Sequence, residues 1–143
     1  MPYEFLENVA VADIAFKAWG KDLEEMFLAA ADAVMNVMAE DLAAIQPREQ
    51  RTLTPENEAP DMLLFNFLQE FIYYKDAENL LLRVKQVRIA EKDAQYALSA
   101  SAVGEELDPT RHHTRVDVKA VTLHRFSVKK TDQGWEASVI LDI

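Results

Sequence analysis

ADIAFKAWGKDLEEMFLAAADAVMNVM, residues 12–38, changes its period at Gly20, and that change decides what kind of fold the chain can have. Before the glycine, Ile14, Phe16 and Ala18 alternate with Asp13, Ala15 and Lys17, the two-residue period of a strand. The alternation sets Asp13 on the face opposite Ile14 and Phe16. After the glycine, Leu23, Met26, Phe27, Ala30, Val34, Val37 and Met38 recur at steps of three and four, which predicts an amphipathic helix over residues 23–39. Asp22 with Glu25 three residues on has the spacing of a capping box, in which side-chain oxygens satisfy amides left free at a helix start.

Outward from this stretch, Tyr3–Leu6 is a short apolar and aromatic run that suggests a preceding strand. Residues 42–45 and 51–53 are further short strand candidates, separated by Pro47. Pro60 suits a first helical turn, where its missing amide costs nothing. Leu63, Leu64, Phe67, Leu68, Phe71 and Ile72 then form one apolar stripe, with Asn66, Gln69 and Glu70 on the other side. From Asn79 onward the pattern is that of strands, over residues 80–91, 95–103, 116–130 and 135–143, with Asp132-Gln133-Gly134 as a tight hairpin turn. Two helices bracketed by strands and followed by a run of long strands predict an α+β fold. The expectation is a single domain over 1–143, mostly antiparallel β-sheet with two amphipathic helices packed on one face.

Composition narrows the function classes. Half of the 143 residues are hydrophobic and 28% are charged, the balance of a chain that builds a core, and three glycines leave little material for linkers. A formal charge of −10 repels phosphate backbones at long range, so direct nucleic-acid binding is not expected. The absence of cysteine removes disulfides, thiolate zinc sites and cysteine nucleophiles. The opening Met-Pro-Tyr-Glu has no signal-peptide pattern, and no apolar run reaches the ~18 residues that a membrane helix needs, so the expected location is the cytoplasm, away from membranes. Glycine-rich phosphate loops, nucleophile elbows and HExxH helices do not occur.

Three acidic groups stand out. Asp142 is the one polar break in Val139-Ile140-Leu141-Asp142-Ile143, and the sequence closes on the next residue, so a side-chain carboxylate and the terminal carboxylate of Ile143 are neighbours. If Asp13 lies alongside, three anionic oxygen groups converge, and such a cluster needs a cation to stay ionised. Hard oxygen donors suit calcium or magnesium, not zinc. The same residues would also be present if Asp13 and Asp142 were unrelated solvated side chains on two strand faces. His112 and His113 follow Asp108-Pro109 and are expected to be exposed loop residues, since neighbours on extended backbone point opposite ways and chelate poorly. Residues 110–130 hold Arg111, Arg115, Lys119, Arg125, Lys129 and Lys130 against Asp117 alone, a basic stretch that could dock an anionic group or be a solvated strand face. A carboxylate pair such as Glu70 or Glu105 in a small metal-dependent hydrolase leaves no sequence signature, and nothing positive points to one.

Several stretches, in order and spanning nearly the whole chain, resemble the archease family. They are Tyr3-Glu4-Phe5-Leu6-Glu7, Ala12-Asp13-Ile14, Gly20-Lys21-Asp22-Leu23-Glu24-Glu25-Met26-Phe27, Leu63-Leu64 with Phe67-Leu68-Gln69-Glu70, Gly104-Glu105 leading to Asp108 and Arg111-His112, Val118-Lys119-Ala120-Val121-Thr122-Leu123-His124, and the closing Val139-Ile140-Leu141-Asp142-Ile143. Many members read Glu-His-Thr-Ala-Asp near the start. This chain has Glu7-Asn8-Val9-Ala10-Val11-Ala12-Asp13, without that histidine and two residues longer. The resemblance implies a non-enzymatic activator of an RtcB-type RNA ligase in tRNA splicing and RNA repair, which promotes guanylylation of the ligase and its multiple turnover. It also implies a metal site of Asp13, Asp142 and the carboxylate of Ile143, with calcium as the cation and magnesium or manganese as replacements. Lys119 and Glu70 match positions implied to matter to function. The other classes to weigh are the metal-dependent hydrolase and a chaperone-like interaction module.

Overall fold

In the computed structural model, residues 2–6 and 13–143 are described. The strands β1 (Tyr3–Leu6) and β2 (Asp13–Gly20) precede helix α1 (Leu23–Met38). A short 3-10 turn, Leu42–Ala44, leads to β3 (Glu49–Leu53) and β4 (Glu56–Asn57), then to helix α2 (Pro60–Glu78). The long hairpin β5 (Leu80–Lys92) and β6 (Gln95–Glu106), the one-turn helix α3 (Pro109–His112) and the hairpin β7 (Ala120–Thr131) and β8 (Gly134–Asp142) complete the order. Every strand pairing is antiparallel. The α+β class and antiparallel pairing are as the sequence predicts. The strands, however, form two sheets, not one: β1-β2-β8-β7, and a second in which β6 pairs with β5 on one side and with β3 and β4 on the other.

Helix α1 contacts β2 and β8 of the first sheet and β5 of the second, and α2 touches β5 and β7. This position explains why α1 is buried far beyond one stripe. Ala29, Ala30, Ala31 and Ala33 are all buried, and these small side chains let the surrounding elements approach closely. Asp32, on the same helix, is half-buried and paired with Arg83 of β5 through two guanidinium contacts of 3.2 Å. Phe27 stacks on Phe67 of α2 at 5.8 Å, and Phe67 meets Phe71 edge-on at 5.1 Å, so the two helices share one aromatic centre. The Asp22 carboxylate accepts the Glu25 amide at 2.8 Å and caps α1, one half of the expected box, while the Glu25 carboxylate pairs with Lys21 at 4.0 Å.

Two segments depart from the expected strands, each because its polar groups find another partner. Residues 42–45 wind into the 3-10 turn because the Asp41 side chain accepts the Ala43 amide at 3.0 Å, a local bond that competes with a strand ladder. Residues 116–119 do not join β7. The stretch just before it is used to cap α1: the Arg115 and Val116 amides donate to the Met38 and Val37 carbonyls at 2.9 and 3.3 Å, satisfying acceptors that a helix leaves open at its end. At the β7–β8 turn Gly134 has φ of 139°, and an added Cβ would lie 2.1 Å from the Gly20 carbonyl oxygen, so a side chain is excluded twice over. Among the described residues no helix is long and apolar enough to cross a membrane.

Candidate functional site

The register of the first sheet brings the two ends of the chain together. Asp13 at the start of β2 is the direct antiparallel partner of Asp142 at the end of β8. Directly opposed residues stand on the same face with Cβ atoms about 4.5–5.5 Å apart, so the two carboxylates are neighbours. Ile14, Phe16 and Ala18 pair with Leu141, Val139 and Ala137, and the residues on that opposite face fill the core. On the other flank of Asp142 stands Ala120 of β7, whose small side chain leaves room beside the pair. The Lys119 amide donates to the Asp142 carbonyl at 2.8 Å, and the Thr122 hydroxyl donates to the Ile140 carbonyl at 3.0 Å, which fixes the last turns of β8. Ile143 is half-buried and packs against the core.

Both aspartates are half-buried, and among the described residues neither takes part in an ion pair. Like charges directly opposed in a sheet are destabilising on their own, and a divalent cation reverses that sign. Two side-chain carboxylates on one face are hard oxygen donors of the kind calcium and magnesium take, so the residues present suit such an ion. Among the described residues no set of three or more His, Asp or Glu side chains is placed to hold a metal. Beside Asp13 lies a cavity of about 270 Å3 lined by Phe5, Leu6, Ile14, Val37, Arg115 and Val116, and four of these, Phe5, Leu6, Arg115 and Val116, are exposed. The Glu7-to-Ala12 segment with Asn8 and the two extra residues lies outside the described residues.

The other sequence candidates separate. Lys119 is exposed at the same end as Asp142. Glu70 is half-buried on α2, in a different groove shared with Pro55, Glu56, Gln69 and Tyr73, and burial pushes its carboxyl up. Its neighbour Gln69 accepts the Val121 amide at 3.3 Å and so ties α2 to β7. Within the basic stretch, Arg111, Arg125, Lys129 and Lys130 are all exposed, but Arg111 is tied down, donating to the Ala44 carbonyl at 2.9 Å and pairing with Glu105.

His112 corrects the sequence expectation. It is wholly buried instead of exposed. The Asp108 side chain accepts the Thr110 amide at 3.1 Å and starts α3, which turns His112 back under the loop. There its Nδ1 accepts the Asp108 amide at 2.8 Å, leaving Nε2, 2.9 Å from the Glu105 carboxylate, to carry the proton and donate. Glu105 also receives the Gln46 amide at 2.7 Å and the Arg48 Nε at 3.2 Å. Burial alone would push its carboxyl up, but Arg111, the Gln46 amide and His112 together hold it down to about 2. The signal that could have found this knot is Asp108-Pro109-Thr110, an N-cap and first-turn proline placing His112 four residues after the cap. Glu70 and Glu105 thus occupy separate surroundings.

The description "Archease protein family" fits a family model that matches residues 3–143. Protein archease of Pyrococcus abyssi is 37% identical over 133 residues, covering 92% of this chain and 93% of that protein, and protein archease of Methanosarcina mazei is 35% identical over 144 residues, covering 99% and 95%. Protein 1598 of Methanobacterium thermoautotrophicum, known from a solution structure, superposes with a TM-score of 0.85 at 36% identity and covers 99% of both chains. An archease of Thermotoga maritima, described as a possible chaperone, shares the fold at a TM-score of 0.64 and 16% identity over 92% of this chain and 91% of its own. With its fold, its paired end carboxylates and its near-complete match to the family model in place, this chain belongs to the archease family.

Proposed function

We propose that this protein activates an RtcB-type RNA ligase in the cytoplasm, promoting the ligase's guanylylation and multiple turnover, and that it catalyses no reaction of its own. One observation carries the reading: in a member of the archease family, Asp13 and Asp142 are direct partners across β2 and β8. Their carboxylates, with that of Ile143 as a third donor, would hold calcium, or magnesium or manganese in its place. A bound ion supplies positive charge at the tip. The chain's own residues hold the tip in place: the β2–β8 ladder sets the spacing of the aspartates, Ala120 keeps the flank open, and the Lys119 amide pins the Asp142 carbonyl. The exposed Phe5, Leu6 and Val116 beside Asp13 offer the ligase an apolar surface on which to close.

The test is a ligation assay with limiting ligase and calcium present. Asp13→Ala and Asp142→Ala should each lower calcium affinity by at least about tenfold and hold ligation near a single turnover. Many turnovers with both variants would remove the tip from the mechanism. Adding two residues after Ile143 should weaken calcium binding if the terminal carboxylate is a donor, and leave it unchanged if the aspartates act alone.

A further inference from the structure

Helix α2 carries one recognition chemistry twice, and in one of the two places it is already filled. Tyr74 and Glu78, one turn apart, hold Arg51 of β3: the guanidinium lies 5.9 Å from the Tyr74 ring centroid and donates to the Glu78 carboxylate at 2.5 Å. Glu70 and Tyr73, three residues apart, are likewise neighbours on the helix surface. Tyr73 is 60% exposed and packs edge-on against Tyr74 at 5.2 Å. Glu70 and Tyr73 line a broad, open groove of about 610 Å3 together with Pro55 and Glu56. Among the described residues neither Glu70 nor Glu56 has an ion-pair partner.

We propose that Glu70 and Tyr73 form a binding site for an arginine side chain of a protein partner, with the guanidinium on the Tyr73 ring and its N–H groups donating to Glu70. Arg51 on Tyr74 and Glu78 shows that a ring and a carboxylate of this helix together hold a guanidinium, there with the ring before the carboxylate in the chain and here after it. Arginine fits better than lysine because a planar guanidinium stacks on a ring and donates to a carboxylate at once, which a compact ammonium does not. A polypeptide fits better than a nucleic acid, since two carboxylates in the groove and a net charge of −10 repel phosphates. The groove is larger than one guanidinium needs, so the partner's flanking residues enter it too, where the Asn66 amide and the Gln69 Nε2 can bond to a main chain. Burial of Glu70 already raises its carboxyl, and an incoming cation would lower it again. The site is independent of the metal tip and of which partner supplies the arginine.

The experiment is a titration of the full chain, 15N-labelled, with the peptide acetyl-Gly-Arg-Gly-Arg-Gly-amide and with its lysine and citrulline counterparts, read as backbone amide shifts. The arginine peptide should give saturable shifts centred on Glu56 and on residues 66–74. Affinity should fall by about tenfold for the citrulline peptide, and likewise in Glu70→Gln and in Tyr73→Leu, which keeps apolar bulk but removes the ring. The lysine peptide should bind several-fold more weakly than the arginine one. Shifts spread evenly over exposed acids such as Glu40, Asp41 and Asp76, or equal affinity for Glu70→Gln and wild type, would overturn the proposal. Equal binding of the lysine and arginine peptides would overturn it as well, because nothing would then lie flat on Tyr73.

Discussion

Glu105 and the Asp13–Asp142 pair are both acidic and both lie at the ends of strands, yet the fold treats them in opposite ways. Glu105 is 3% exposed and receives the Gln46 amide, two guanidinium groups and the His112 ring. Each of its oxygens is spoken for, and its carboxyl lies near 2. Asp13 and Asp142 are half-buried, face each other, and have no ion-pair partner among the described residues. The first arrangement joins three segments, residues 46–48, β6 and α3, and is explained by folding alone. The second sets two like charges opposite each other in a ladder, an arrangement that disfavours folding on its own and that, in the proposed function, a cation relieves. Glu105 is thus a structural acid.

The largest effect that could break this contrast is removal of the structural acid. Glu105→Ala leaves Arg111 and the buried His112 without their acceptor and should cost about 3 kcal/mol of stability, measured by chemical denaturation at neutral pH. Its calcium binding should stay within about twofold of wild type once allowance is made for the unfolded fraction, because Glu105 is not a ligand in this scheme. A loss of calcium affinity with no loss of stability would exchange the two roles.

Acid titration should sharpen it. Glu105 has a folded carboxyl near 2 against an ordinary value of 4.5, a depressed group. Its contribution to stability is therefore fully present above about pH 5 and is lost as the pH falls from there toward 2, because the unfolded chain takes up the proton first. Denaturation midpoints measured from pH 6 to pH 3 should fall for the wild type and fall less steeply for Glu105→Gln, which has no proton to gain. Parallel curves for the two proteins would mean that other carboxylates carry the acid sensitivity.

How much of this could be read beforehand follows from the range of each interaction. The period change at Gly20, the stripe from Leu63 to Ile72 and the turn at Gly134 are local, and helices α1 and α2 and both long hairpins lie where these patterns put them. Asp13 on the face opposite Ile14 and Phe16 was also legible, since alternation needs only adjacent residues. That it meets Asp142 was not, because pairing of the second strand with the last is a contact over almost the full chain; only the resemblance implied a shared site. The division into two sheets stayed hidden for the same reason: no residue pattern says that α1 is flanked by β2 and by β5. His112 was misplaced for a different reason, a capping signal at Asp108 too short to outweigh the loop-like composition around it. Glu70 was named, but its companionship with Tyr73 and an open groove depends on β4 crossing beside α2.

The smallest expected effect is the most telling about the pair. In metal-free solution Asp142→Asn removes one of two opposed charges, so it should leave stability unchanged or raise it by up to about 1 kcal/mol, the reverse of Glu105→Ala. Adding calcium should then raise the melting temperature of the wild type and have no such effect on the variant, since an ion that binds only the folded state stabilises it in proportion to its occupancy. The sign of the metal-free change separates two explanations that a loss of activity would confuse. If Asp142→Asn destabilises the metal-free protein by as much as Glu105→Ala does, then Asp142 is a structural acid with an unseen partner, and the argument from unrelieved repulsion fails even if ligase activation is lost.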